Sequence, residues 1–560
     1  MRPRKIPRLA VALAAALLCA AGLPGTALPA AQAAAVSGAP VFGATVSGAA
    51  TPAASYVQLQ GDGSSWAEPA ITQWARDMVP DGIDINYTGD GSAEGREHYI
   101  EDQNDFAGSD IAFLKQGDPF GGGIENVGWN YSYIPIVAGG TTFMYNLVVG
   151  GRKITNLRLS GETLAKIFTG QITNWDDPAI THDYGAALPS QAITVVTRSD
   201  GSGASYMFTR WLSVEYPSLW NSFCAGHGGP SPCPPTEFYP GFGTSIQKDG
   251  SDQVAAFLAS SISEGAIGYD EYAYALNYGL NVVKMLNAAG YYTLPTASNV
   301  AIALQAAVID ENPNDVDFLM QDLDKVYTDS DPRAYPLSSY SYLVIPRDVG
   351  GGLNNAPPPS WTTGKGVTLS TWLNYVLCGA QQTAGSLGYS PLPKNLVVGG
   401  FEQVDHLPGH VATPDLAQLN GCNNPTYSNG VDHLTAGAPM PSPCDFHTAP
   451  LDCTDEGGKA VTTGSGNTSG NGTNPGATGA APAGATDGPS AGSTGAADGQ
   501  GAAAGPGTAN NSQVYAEPVT VEAASDQQLT LATLTVLELL AAIAAPVLVG
   551  TWLQRRRKRK

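Results

Sequence analysis

Between residues 454 and 528 the chain contains no Leu, Ile, Met, Phe or Trp. A tract of Gly, Ala, Ser, Thr and Pro on this scale cannot bury enough apolar area to offset the entropy of ordering it. Any folded core must lie before it, and whatever follows stands apart from that core. As a flexible coil its 75 residues would span roughly 45–50 Å root-mean-square. The tract reads as a tether.

The two ends of the 560-residue chain carry opposite instructions. Residues 1–33 have the layout of a secretory leader: a basic start (Arg2, Arg4, Lys5, Arg8), an apolar run, then Ala31-Gln32-Ala33 as a small-residue cleavage site. Cys19 follows Leu17-Leu18, not the small residue that lipidation requires, so a lipid anchor is not expected. Beyond the tether, 529–553 is apolar apart from Glu538 and the interruption at Pro546. As a helix this segment reaches about 37 Å, enough to cross a ~30 Å hydrocarbon core with tilt. The basic tail, 554–560, would stay on the cytoplasmic side. The expected topology is a body outside the cell membrane, one span, and a short tail inside.

Over 34–528, 17 cations face 48 acids, a net charge of −31. Such a surface repels polyanions and excludes nucleic acid as a partner. Loss of the leader leaves Cys224, Cys233, Cys378, Cys422, Cys444 and Cys453. An even number in an exported chain favours disulfides, and six cysteines allow 15 pairings. The sequential set, 224 with 233, 378 with 422 and 444 with 453, is the expectation. The rival is a zinc site built from Cys444, His447 and Cys453.

From residue 56 to about 410 the pattern alternates strands and helices. It predicts strands at 57–59, 83–87, 105–108 and 193–197, helices over 68–78, 93–101, 161–168 and 202–212, and an extended stretch over 133–149. Repeated strand–turn–helix units give an α/β class, and about 355 residues exceed what one core usually holds. Gly/Ser/Asp loops fall at the junctions: Gly61-Asp62-Gly63-Ser64-Ser65-Trp66, Gly89-Asp90-Gly91-Ser92, Ser109-Asp110 and Asp200-Gly201-Ser202-Gly203-Ala204-Ser205 beside Arg198. In open α/β folds ligands bind outside the carboxyl ends of strands. Helix starts there present N–H groups and partial positive charge to an anion. One such loop is ordinary turn vocabulary; several, with an arginine among them, point to a small oxyanion.

These landmarks, with Asp105-Phe106-Ala107-Gly108-Ser109-Asp110, Leu164-Ala165-Lys166-Ile167-Phe168-Thr169-Gly170, Ile172-Thr173-Asn174-Trp175 and Gly265-Ala266-Ile267-Gly268-Tyr269, run in the order found in a known family. The stretch 57–398 resembles the phosphate-binding proteins of ABC-type phosphate importers. The resemblance implies a two-lobed periplasmic-binding-protein-like (type II) fold with a ligand cleft between the lobes. Lobe 1 would be 56–140 with 335–415, lobe 2 would be 141–334, and a hinge near Val137 to Thr142 would pair with a second crossing near Tyr335. It also implies the ligand set. Ser65 and Trp66 take the places of a Thr-Phe pair that donates to phosphate, and Ser92 adds a hydroxyl and an N–H. Arg198 would give two parallel hydrogen bonds, with Asp200 holding its fork. Ser202, Gly203 and Ala204 would present N–H groups, Ala204 lacking the hydroxyl usual in the family.

Asp110 carries the selectivity argument. Phosphate at neutral pH keeps a proton to donate to a carboxylate; sulfate has none and meets repulsion. A site built to accept that bond can reject the analogue by ~10⁴-fold. Arsenate is protonated similarly and would not be excluded.

Three parts depart from the resemblance: the Pro/Gly-rich insertion at 224–250, the cysteine-bearing extension at 416–453, and the tether with its span. The expected function is capture of inorganic phosphate, as a monomer, for ABC permease subunits. No cofactor or metal is implied. The rivals are a surface adhesion or sensing protein that keeps the fold, a binder of another oxyanion, and a hydrolase. The last is disfavoured because Gly63-Ser64-Ser65-Trp66-Ala67 lacks the closing glycine of a nucleophile elbow and the histidines lie away from these loops in sequence.

Overall fold

A computed structural model describes residues 56–348 and 356–453, all within the first of two units, Met1–Gly470 and Asn471–Lys560. The leader, tether, apolar segment and basic tail lie outside the described residues. Among the described residues no helix is long and apolar enough to cross a membrane.

The chain opens with β1 (Leu59–Gly63), α1 (Glu68–Asp77), β2 (Ile85–Thr88), α2 (Ser92–Ile100) and β3 (Phe106–Ser109). The long β4 (Tyr131–Asn146) is followed by α3 (Gly161–Phe168), β5 (Thr194–Arg198), α4 (Gly203–Glu215), β6 (Ile246–Lys248), α5 (Gly250–Ala259), β7 (Ala266–Glu271) and α6 (Tyr272–Tyr278). The chain then returns through β8 (Ser338–Pro346), α7 (Thr363–Val376) and α8 (Lys394–Val404). This is the expected α/β class, with shifted edges. The first strand was expected at 57–59 but begins at Leu59 and runs through Gly61 and Gly63. Glycine is a poor strand former, and here packing decides: a Cβ at Gly63 would lie 2.2 Å from the carbonyl oxygen of Gly108 on the neighbouring strand. Helix α3 spans the expected residues, because the Ser160 hydroxyl caps it by accepting from Thr163 N and its apolar positions repeat at helical spacing.

The main sheet runs β2-β1-β3-β8-β4-β7-β5-β6, with Asn281–Val282 also paired to β4. Strands β1, β2 and β3 are parallel, as are β5, β6 and β7, whereas β8 and β4 are antiparallel to their neighbours. β4 changes partner along its length: Gly140 pairs with Ser338 of β8 and Thr141 with Glu271 of β7. That point falls within the stretch expected to hinge. We call the β2-β1-β3-β8 side the first wing and the β7-β5-β6 side the second. Carboxyl ends of parallel strands from both wings face the same region.

The three disulfides are Cys224–Cys233, Cys378–Cys422 and Cys444–Cys453, the sequential set. Cys444 and Cys453 are bonded to each other, which removes the zinc alternative; His447 instead sits with its Nδ1 3.2 Å from the Gly290 carbonyl. The extension is a strap. It leaves the first wing, where Val411 N donates to Ser370 Oγ (2.9 Å) and Asn424 and Thr426 donate to the Leu392 carbonyl. It passes Arg333, which donates to the carbonyls of Thr435 and Ala438. It ends on residues that follow β4, where Lys284 pairs with Asp445 (2.5 Å) and Arg158 Nη2 donates to Ala449 O (2.7 Å).

Candidate functional site

Asp110 follows β3 and is 2% exposed. Its Oδ1 accepts from Ser64 Oγ (2.8 Å) and Ser341 Oγ (2.6 Å); its Oδ2 accepts one long bond from Ser92 Oγ (3.3 Å). Burial raises its pKa, against the opposing pull of the three hydroxyls and Arg198. Ser341 reaches it from β8 at a register shift between Ser341 and Tyr342; such bulges re-aim side chains. Gly203 opens α4 so close to the carboxylate that a Cβ there would lie 2.2 Å from Asp110 Oδ2. Only glycine lets that helix start approach Asp110.

Arg198 closes β5 and is 1% exposed. Its Nε donates to Asp200 Oδ1 (2.8 Å), and Nη2 to Asp200 Oδ2 and Ser65 Oγ (2.8 Å). Its Nη1 donates to Ser251 Oγ (3.0 Å) and Asp270 Oδ2 (3.2 Å). All five guanidinium donors are engaged. Desolvation opposes its charge, but Asp200 and Asp270 outweigh it and hold the group protonated. Asp200 grips the fork and also accepts from Gly250 N (3.0 Å). The wings touch here: Ser65 Oγ is 2.8 Å from Ser251 Oγ, and Ala93 N donates to Gly201 O (3.0 Å).

The structure thus gathers Ser65, Ser92, Asp110, Arg198, Asp200 and Gly203. Ser202 caps α4, its Oγ accepting from Ser205 N, and Ala204 is buried in the first turn. The Trp66 indole turns toward β4, donating to Thr141 Oγ1 (3.3 Å) and packing edge-on against Tyr389. Sequence reasoning missed Ser64, Ser251, Asp270 and Ser341. For two of them a signal was present. The tripeptide Asp-Gly-Ser occurs four times in the chain, at 62–64, 90–92, 200–202 and 249–251, and each occurrence lies at this site. Nor do all histidines lie apart: His98 on α2 has Nδ1 2.7 Å from Asp62 Oδ2, and Asp90 completes a carboxylate–imidazole group there. Burial, and then the Asp62 charge, raise Asp90 to about 7.

A family model described as the PBP superfamily domain matches residues 48–378. The chain belongs to the PBP superfamily. Within it, the chain groups with the PstS phosphate-binding proteins. Phosphate-binding protein PstS 3 of Mycobacterium leprae is 30% identical over 339 residues, covering 60% of this chain and 83% of that protein. Phosphate-binding protein PstS 3 of Mycobacterium tuberculosis is 29% identical over 344 residues, covering 60% and 82%. The phosphate-binding protein from Stenotrophomonas maltophilia, a solved structure, is similar with a TM-score of 0.42 at 17% identity, covering 67% of this chain and 99% of that one. The superfamily match ends at Cys378, so most of the strap lies beyond it.

Proposed function

We propose that this PBP-superfamily chain captures inorganic phosphate between its wings for an ABC-type importer. The names of the PstS relatives support the substrate, and the asymmetry of Asp110 supports how it is read. With Oδ1 occupied by two serine hydroxyls, Oδ2 is the oxygen left to accept a proton-bearing ligand oxygen. Hydrogen phosphate offers that proton and sulfate does not. On the same reading, phosphate oxygens take the place of Ser65 Oγ and Ser251 Oγ on the outer edge of the Arg198 fork. Both hydroxyls then turn to donate to the ligand, while Asp200 and Asp270 keep the guanidinium oriented. Ser92, Gly203 and Ala204 supply helix-start N–H groups, and Trp66 backs the loop. Opening and closing is a hinge motion about the partner switch in β4 and the crossing before β8. The protein works outside the cell as a monomer, held by the 529–553 segment through the 454–528 tether.

The net charge of −31 over the processed body slows capture more than it weakens it, because fixed dipoles hold the anion in a water-poor cleft. Isothermal titration of the full chain with phosphate and then sulfate at pH 7 tests the proposal. Phosphate heat with silent sulfate is expected. A folded, ligand-free sample that gives no phosphate heat refutes it.

A further inference from the structure

A second cavity, of about 670 Å³, lies away from the phosphate cleft, beside the start of β4 and the end of β8. Its floor is set by the strand pairing: Pro346 faces Tyr131, and Arg347 N donates to Asn130 O (3.0 Å). Both residues line the cavity. Asn130 is 7% exposed, and its Nδ2 is buried without an acceptor. Nε of Arg347 is also buried without an acceptor. Burial opposes the Arg347 charge and the adjacent Asp348 carboxylate supports it, but among the described residues no carboxylate lies within ion-pair distance of the guanidinium. Native interiors rarely leave such donors unmatched, and each one calls for an explanation.

The carboxylates that line the cavity do not supply it. Glu125 binds Arg96 and accepts from Leu114 N, and Asp315 Oδ1 accepts from Asp317 N. Their charge does limit the ligand, since a dianion would be repelled more than a monoanion. Val127, Trp129 and Val316 give the space an apolar side and Asn126 and Asn314 a polar one, and Trp129 stands edge-on against Tyr99. We propose that this cavity is a second ligand site, taking a small monocarboxylate with an apolar or aromatic body. Its carboxylate lies on the Arg347 and Asn130 donors, and its body lies against Val127 and Trp129. Planar carboxylates suit a guanidinium edge, and a concave pocket that sets placed polar groups beside apolar and aromatic surface is a usual form of small-molecule site.

The test uses fluorine NMR line broadening of para-fluorobenzoate with the full chain, in saturating inorganic phosphate so that the cleft is occupied. Broadening is expected for the carboxylate and not for para-fluorobenzamide, which has the same shape without the charge. Arg347→Gln and Asn130→Asp should each weaken binding by on the order of tenfold, with circular dichroism confirming the fold. Should Arg347→Gln fail to fold, Arg347→Lys, which keeps the charge but lacks Nε and the fork, gives the same readout. No broadening in the parent protein, equal broadening by the amide, or undiminished binding in folded variants overturns the proposal.

Discussion

Arg96 and Glu237 form a two-pronged ion pair sealed from solvent, with Nη2 2.6 Å from Oε2 and Nη1 3.0 Å from Oε1. The first residue sits on α2 in the first wing. The second lies just before β6 in the second, where its carbonyl accepts from Ser202 N. The pair therefore rivets the wings together next to the proposed phosphate cleft. Removing one partner strands a buried charge, so Arg96→Met should lower stability by about 3–5 kcal/mol. The double variant with Glu237→Leu should recover only part of that loss, because Glu125 also loses its Arg96 partner, and should still bind phosphate more weakly, because its closed form has lost its rivet. Denaturant melts and phosphate titrations of both variants check this.

Asp110→Asn should lose discrimination and gain stability together. The amide offers sulfate a donor where the carboxylate repels it, so sulfate heat should appear as phosphate affinity falls. Burial raises the Asp110 pKa above its unfolded value, so the cost of its charge is absent below the unfolded pKa and grows as pH rises through the folded one. The variant should therefore melt higher than the parent at pH 7 and close to it near pH 3.

Ser251→Ala tests a residue that no sequence argument had picked out. Its hydroxyl lies 3.0 Å from Arg198 Nη1 and 2.8 Å from Ser65 Oγ. Loss of one charge-assisted donor should weaken phosphate binding by roughly tenfold, about 1.4 kcal/mol. Unchanged affinity would remove Ser251 from the ligand set.

Asp90 makes stability depend on pH. Its pKa stands at about 7 against an ordinary 3.8, through burial and then Asp62. The sign is that of a raised acid: stability is full below about pH 4 and declines as pH climbs toward 7. His98 works in the same direction. Desolvation opposes its charge, but the Asp62 bond outweighs it and raises its pKa. Asp90→Asn should match the parent at pH 4 and exceed it by about 1 kcal/mol at pH 8, a figure reduced for partial exposure. Thermal melts across that range decide it.

Replacing Cys378 and Cys422 by serine should free the strap from the first wing. The two cysteines are 44 residues apart, and closing a loop of that size stabilises by about 4 kcal/mol in the chain-entropy picture. A loss of roughly 2–4 kcal/mol is expected in denaturant melts under oxidising conditions. A far smaller loss would mean that the strap holds through its backbone contacts alone.

The parts legible in the sequence were those written locally. Arg198 and Asp200 share one turn, so their pairing follows from spacing, and α3 announces itself through the Ser160 cap and its apolar repeat. Other parts of the site depend on contacts that only the fold creates. Ser341 reaches Asp110 from a residue 231 positions later, through a strand irregularity that no periodicity encodes. Asp270 and Glu237 look like ordinary acids until the packing buries them against arginines. Ser251 lies between these cases: its Asp-Gly-Ser setting repeats that of the three recognised loops, but a tripeptide so common in turns gains meaning only when four copies converge.

The strap also fixes a mechanical property of the chain. Cys453, its last described residue, belongs to the disulfide loop whose Asp445 and Ala449 contact Lys284 and Arg158. Tension applied from the C-terminal side therefore enters the body through those contacts and travels back along the strap past Arg333 to the first wing. Lys284 lies two residues beyond Val282, which pairs with Met144 of β4, so the strand shared by the wings comes next in line behind the strap. A pull on the tail should peel the strap before it distorts the hinge.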